Sequence, residues 1–215
     1  MDDKIGGEKT RYYYNDKWQV LKETDEEGYG LRWYLYGNYI DEVLVMVDPN
    51  VAADYYYAHD HLYSPVALIG YDLASGEWTV VERYEYDAYG KPYFMDASFN
   101  LLATQKSAYG NPYGFTGRNV DILDNGNLVK QHSRRRDLNY YMGRFYVPDP
   151  GGYIDGMNLY EYVKSNSVIY IDPYGYTVTL EGGGPIRIPT REARSFAEIW
   201  NPRINLMTGL FIPTI

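Results

Sequence analysis

Three observations predict an all-β architecture of stacked, strongly twisted antiparallel hairpins. The 215 residues include 27 Tyr and 21 Gly, with 11 Pro scattered rather than clustered. Tyrosine is bulky and β-favouring, and its hydroxyl can reach water or a partner, so it suits half-buried sheet surface. Short runs of such residues alternate with turn signals built on Gly, Asn and Asp, the pattern of hairpins in series. The length is enough for a real core within one domain, or one domain and a tail.

Charge and composition exclude several function classes. The formal charge of −9 argues against a nucleic-acid partner, and the only basic cluster, Arg134-Arg135-Arg136, is too short for a binding patch. With no cysteine there are no disulfides, zinc–thiolate sites or thiol nucleophile. No apolar run reaches the length of a transmembrane segment. Met1 to Gly7 has neither the basic start nor the apolar stretch of a secretory signal. An export address, where one is used, is expected on a partner or on a longer gene product.

The elements follow in order. Tyr12 to Leu21 reads as two short strands about a turn at Asn15-Asp16, whose side chains can cap their own backbone. After a break at Gly28-Tyr29-Gly30, residues 31–39 alternate, with Leu31, Trp33 and Leu35 on one face and Arg32, Tyr34 and Tyr36 on the other. Val43 to Val47 is continuously apolar, so cover on both faces is expected. Residues 54–59 and 65–71 form a further hairpin. A turn over Leu73 to Gly76 leads into the clearest strand, 77–87, with Val80, Glu82, Tyr84 and Tyr86 expected on one face. Residues 99–108 read as loop and 121–130 as a turn-rich hairpin. Beyond, 177–180 suggests one more strand, and 190–200 a short helix capped by Thr190 with Phe196 and Trp200 four apart.

The stretch Tyr84-Glu85-Tyr86-Asp87-Ala88-Tyr89-Gly90 is a tyrosine pair followed by an aspartate that caps a turn and a glycine that supplies positive φ. It resembles the YD repeat unit. Downstream, Gly143-Arg144-Phe145, Pro148-Asp149-Pro150, Gly156-Met157-Asn158-Leu159-Tyr160, Tyr162-Val163 and Asp172-Pro173-Tyr174-Gly175 are similar to the core motif that closes the bacterial Rhs (YD-repeat) proteins. Asn111 to Arg118 is similar to the segment just upstream of that motif. The resemblance divides the chain into a YD-repeat-like hairpin region (1–118), a repeat-associated core motif (119–176) and a short variable C-terminal segment (177–215).

The resemblance implies a strip of a β-shell whose core motif folds inward as a plug and holds the chain's own C-terminal segment. A strip this short has open edges, so an upstream shell or a second chain is the expected partner. The resemblance also implies a secreted or cell-surface setting, and self-cleavage by aspartyl-protease chemistry. The family's two aspartates map onto Asp149 and Asp172, its arginine onto Arg136, and the scissile bond onto Tyr176-Thr177. Two neighbouring carboxylates do not both ionise cheaply, so one can act as acid and the other as base; Arg136 would hold one of them charged. The chain departs from the family pattern at Tyr176, usually Leu or Met, at Asp137-Leu138-Asn139-Tyr140, and at Ser165-Asn166-Ser167, where a turn proline is missing.

Other readings stand beside this one. Asp-Pro is a common turn opener, so Asp149 and Asp172 can serve simply as backbone caps, with Arg136 a structural ion-pair residue. His59 and His61 would share a face on a strand and could bind a metal, but Asp60 starts a turn and no third ligand is apparent, so a surface turn is the stronger reading. No cofactor motif and no nucleophile elbow occur. Exposed Tyr and Trp on a β-surface suit stacking against sugars, which makes a glycan-binding module the alternative to the structural one.

Overall fold

The computed structural model describes residues 9–126, 128–154, 156–175 and 186–187. The architecture is all-β. Eight antiparallel strands pair strictly in sequence order: β1 (Arg11–Tyr14), β2 (Val20–Thr24), β3 (Gly30–Tyr36), β4 (Val43–Asp48), β5 (Ala53–His59), β6 (Pro65–Asp72), β7 (Glu77–Tyr86) and β8 (Pro92–Asp96). A second, four-stranded sheet follows from β9 (Val120–Leu123), β10 (Leu128–Ser133), β11 (Arg136–Asn139) and β12 (Arg144–Phe145), again ordered as a meander. The pair β13 (Tyr170–Ile171) and β14 (Ile186–Arg187) completes the described strands. The expected strand at 177–180 and helix at 190–200 lie outside the described residues.

Five hairpin turns share one construction, and it explains why the strands fall where they do. At Asn15, Asp25, Asp60, Asp87 and Asp96 the backbone N–H donates to the carbonyl four residues on, and the residue three on donates to the turn's first carbonyl. The side-chain oxygen accepts a second bond, from the amide four residues on. The fourth residue is left-handed each time: Trp18, Gly28, Tyr63, Gly90 and Phe99, with φ between 62° and 95°. Only two of these are glycines. An L side chain at such φ is disfavoured by about 1–2 kcal/mol, so the paired strands and the capped amides must over-determine the other three.

Three inward-facing tyrosines anchor the core of the first sheet. Tyr34, Tyr57 and Tyr84 point into a core with Val43, Met46, Leu68 and Phe94, and Tyr113 from the second layer packs edge-on against the first two. Each ring reaches a hydroxyl partner: Tyr34 donates to Glu23, Tyr57 to Asn111 and Tyr84 to Glu82, at 2.6–2.9 Å. Burial pushes these phenols well above their ordinary pKa, so they remain protonated donors. Trp33, Leu35, Tyr56, Tyr71 and Trp78 are left on the exposed outer face.

Two expectations about faces are corrected. In β4, Val43 and Met46 are fully buried, but Val45 and Val47 are only half-buried. They are shielded by cross-strand neighbours (Leu35 and Tyr56 beside Val45, Trp33 beside Val47) rather than by a covering layer. In β7 the pairing steps from Leu68–Glu82 to Ile69–Val80, a bulge at Val81. The extra residue reverses the alternation, so Val81 rather than Val80 packs with Glu82 and Tyr84 against the core.

The second layer has its own core of Phe115, Val120, Val129, Leu138, Phe145 and Tyr162, joined to the first through Tyr86 and Ile122. On its surface, His132 Nε2 lies 2.7 Å from Asp121 and Nδ1 2.8 Å from Asp137, with Lys130 bridging the same two carboxylates. Both ring nitrogens therefore act as donors, which is the imidazolium form. The Asp121 and Asp137 hydrogen bonds, against the cost of burial, raise His132 to about 9, and both aspartates are lowered. A raised histidine stabilises the fold fully below its unfolded value near 6.5, and that contribution is lost as pH climbs through about 9. The urea midpoint is expected to fall between pH 6.5 and 9.5, and His132→Gln to remove most of that slope; an unchanged slope in the variant would refute the assignment.

Candidate functional site

The site forms where two tight turns of the second layer meet the chain that leaves it. Arg136 is the first residue of β11, directly after the two-residue loop Arg134-Arg135 that closes the β10–β11 hairpin. It is 2% exposed, and its guanidinium lies 3.7 Å above the Phe145 ring. Its Nη2 is 3.0 Å from Asp149 Oδ2 and 3.2 Å from Asp172 Oδ2. Two oxygens that share one nitrogen at those distances are no more than about 6 Å apart. Arg136 Nε donates to the Gly175 carbonyl at 2.8 Å.

Each aspartate does two jobs with its two oxygens. Asp149 Oδ1 accepts from the Gly151 amide at 2.7 Å, and the Asp149 backbone is tied to Leu159 and Gly152. Asp172 Oδ1 accepts from the Tyr174 amide at 3.3 Å. Those are the turn-capping bonds that Asp-Pro sequences favour. In both residues Oδ2 is the oxygen that faces Arg136. The capping role and the convergent role are therefore compatible, and both are present.

Asp149, Asp172 and Arg136, 36 residues apart at the widest, are thus brought together. Tyr176 and Thr177 lie outside the described residues; Gly175 is the last described position before them. Gly175 has φ +61°, and a Cβ there would collide with the Ser133 carbonyl and come within 3.1 Å of the Arg136 amide. The backbone at the end of the motif is pressed against the β10–β11 turn that carries Arg136.

Sequence reasoning assigned no role to three further charged residues. Asp41, between β3 and β4, pairs with Arg134 (Oδ1–Nη2 2.8 Å) and with Arg118 (Oδ2–Nη2 3.2 Å). Arg118 also donates to the Asp172 carbonyl at 3.1 Å, and Arg134 to the Pro173 carbonyl. Three buried aspartates and three arginines thus form one connected network. Arg118 closes a quoted motif and Arg134 belongs to the basic cluster, but nothing near Asp41 in the chain marks it.

The His59-Asp60-His61 group is built into a turn. His59 stacks on Tyr57 and burial lowers it to about 4. His61 Nε2 bonds the Val168 carbonyl at 2.9 Å, and Asp60 caps the Leu62 and Ser64 amides. No group of three or more metal-ligating side chains occurs among the described residues. Among those residues no helix is long and apolar enough to cross a membrane.

Gly152 provides a control for the packing at Gly175. It is also left-handed, at φ +71°, but has nothing within 4 Å of a Cβ position. Gly152→Ala is expected to cost about 1–2 kcal/mol in urea denaturation, the backbone cost alone. Gly175→Ala is expected to cost clearly more, because the collision adds to it. Equal losses would mean that the close approach is not there.

No family model matches the chain. In sequence it is similar to the tRNA nuclease WapA of Bacillus subtilis (strain 168), 28% identical over 189 residues, covering 82% of this chain and 7% of that protein. It is also similar to toxin subunit YenC1 of Yersinia entomophaga, 27% identical over 127 residues, covering 55% of this chain and 11% of that one. Among solved structures it is similar to the TcdB2–TccC3 complex, with a TM-score of 0.50 and 19% identity over 72% of this chain and 7% of that chain. A Tc holotoxin pore of Photorhabdus luminescens aligns with a TM-score of 0.50 and 16% identity over 88% of this chain and 10% of that chain. The chain spans about a tenth or less of the length of these proteins, and their whole-protein activities are their own. The chain shares its stacked antiparallel hairpins with these solved structures, and its sequence is similar to a tRNA nuclease and a toxin subunit.

Proposed function

We propose that this chain is the closing module of an Rhs-type β-shell, one that holds its own C-terminal segment and hydrolyses the Tyr176-Thr177 bond with Asp149 and Asp172. The observation that carries this reading is the convergence of both carboxylates and the Gly175 carbonyl on Arg136. One carboxylate, ionised, takes a proton from water as it attacks the Tyr176 carbonyl carbon. The other, protonated, stabilises the developing oxyanion and returns a proton to the Thr177 nitrogen as the C–N bond breaks. Water is consumed; a carboxylate and an amine are formed. Arg136 holds the pair together and keeps the approaching backbone in register. An upstream shell or second chain would pair with the open strand edge. An exported or surface-displayed assembly is the setting that the resemblance carries with it.

Intact mass of freshly purified protein tests the reading, with Asp149→Asn alongside. A split between 176 and 177 that the variant abolishes is expected. A single intact mass for the unmodified chain would remove the protease role and leave the shell-closing role.

A second reading is supported by a cleft of about 500 Å³ between the first strands and the second layer. Tyr12, Tyr14 and Trp18 line it and are 48–71% exposed, an arrangement suited to stacking on sugar rings. Retention on a glycan array that is lost in Tyr14→Ala and Trp18→Ala would support a carbohydrate-binding role. No retention, or retention unchanged in the variants, would dismiss it.

A further inference from the structure

We infer that Asp41 is the positioning residue of this site: acting through Arg118 and Arg134, it fixes the backbone that leads into the proposed cleavage bond. The inference rests on the self-processing reading for its effect on cleavage, and on geometry alone for its effect on the backbone.

Arg118, Arg134 and Arg136 donate in turn to the carbonyls of Asp172, Pro173 and Gly175. Three guanidinium groups thus grip three of four consecutive residues just ahead of position 176. Arg136 is oriented by the two site aspartates. The other two are oriented by Asp41. Arg134 meets it with both terminal nitrogens, at 2.8 and 3.4 Å, and Arg118 meets the second oxygen at 3.2 Å. A fork-to-fork pair holds a guanidinium in plane as well as in place, which aims the Arg134 Nη1 bond at Pro173.

Asp41 is itself held. It is 5% exposed. Gly117, at φ +70°, brings its backbone so close to the Asp41 carbonyl that a Cβ would collide with it. The residue therefore ties the first sheet, 93 residues upstream of Arg134, to the segment that the second layer presents. Small misplacement of a reacting bond is costly, on the order of 10²-fold per ångström, so loss of this aim should appear in rate.

The test compares Asp41→Asn, Asp41→Glu and Val129→Ala, a core truncation in the same layer that serves as a stability control. Amide exchange at Tyr174 and Gly175 is read by NMR in an Asp149→Asn background, where the chain stays whole. Asp41→Asn is expected to speed exchange there at least tenfold more than Val129→Ala, with partial restoration by Asp41→Glu. Equal effects of Asp41→Asn and Val129→Ala, or no effect at those amides, would overturn the positioning role. In the chain with Asp149 intact, Asp41→Asn should slow self-cleavage at least tenfold and Asp41→Glu recover part of it. Should the unmodified chain not cleave at all, the protease reading falls while the exchange comparison still decides the role of Asp41.

Discussion

Three carboxylates lie buried with the guanidinium groups of Arg118 and Arg136, and with Arg134 partly buried beside them, and much of the second layer is arranged around making that tolerable. Removing charges from water costs several kcal/mol per ion unless each is paired and its remaining hydrogen-bonding groups are met. Here Asp41 pairs with Arg118 and Arg134, and Asp149 and Asp172 pair with Arg136; further N–H groups reach the carbonyls of Asp172, Pro173 and Gly175, while the buried Arg134 Nε meets no hydrogen-bond partner among the described residues. Glycines stand at 117 and 175 because the chain must pass closer to a neighbouring carbonyl than a side chain permits. The lattice joins the β3–β4 connection, the turn after Gly114, the β10–β11 hairpin and both Asp-Pro turns. No single one of those elements could bury its charge alone.

The first sheet supplies the frame on which this rests. Its strands follow one another without a crossover, so every strand is placed by the turn before it. Four of those turns, and a fifth that follows β8, repeat the same capped geometry, with an Asn or Asp at the start and a left-handed residue in fourth place. Inward tyrosines fill the space between the sheets, and their hydroxyls satisfy Glu23, Glu82 and Asn111 beneath the second layer. A phenylalanine core would take one bond from each, leaving Glu23 to Arg32, Glu82 to the Ala108 amide and Asn111 to the Tyr113 backbone. The tyrosine content is therefore a solution to burying acidic strands, as well as a source of packing volume.

Legibility in the sequence followed the range of the interaction. The Asp87 to Gly90 turn was readable because its cap and its glycine both stand in the same short stretch. The equivalent turns at Asn15, Asp60 and Asp96 put Trp18, Tyr63 and Phe99 in the left-handed place. Nothing local marks those residues, since only the paired strands force them there. The bulge at Val81 was invisible for a related reason: the alternation of β7 is regular in itself, and only its pairing with β6 breaks. At the site, the motif pointed to Asp149, Asp172 and Arg136, and the fold brings their side chains together. Asp41 is 93 residues from Arg134 and sits in an ordinary-looking connection, so no spacing argument could reach it.

Composition, alternation and turn chemistry were enough to establish a meander of hairpins, because those features depend on bonds between residues a few positions apart. Packing alone decided which face of each strand is buried, and which oxygen of each aspartate caps a turn while the other meets Arg136. The same is true of the first sheet's hold, through Asp41, on the backbone before position 176. Those outcomes depend on excluding water between distant segments. The energy of a buried charge has no value until its partners, and the solvent it has lost, are in place.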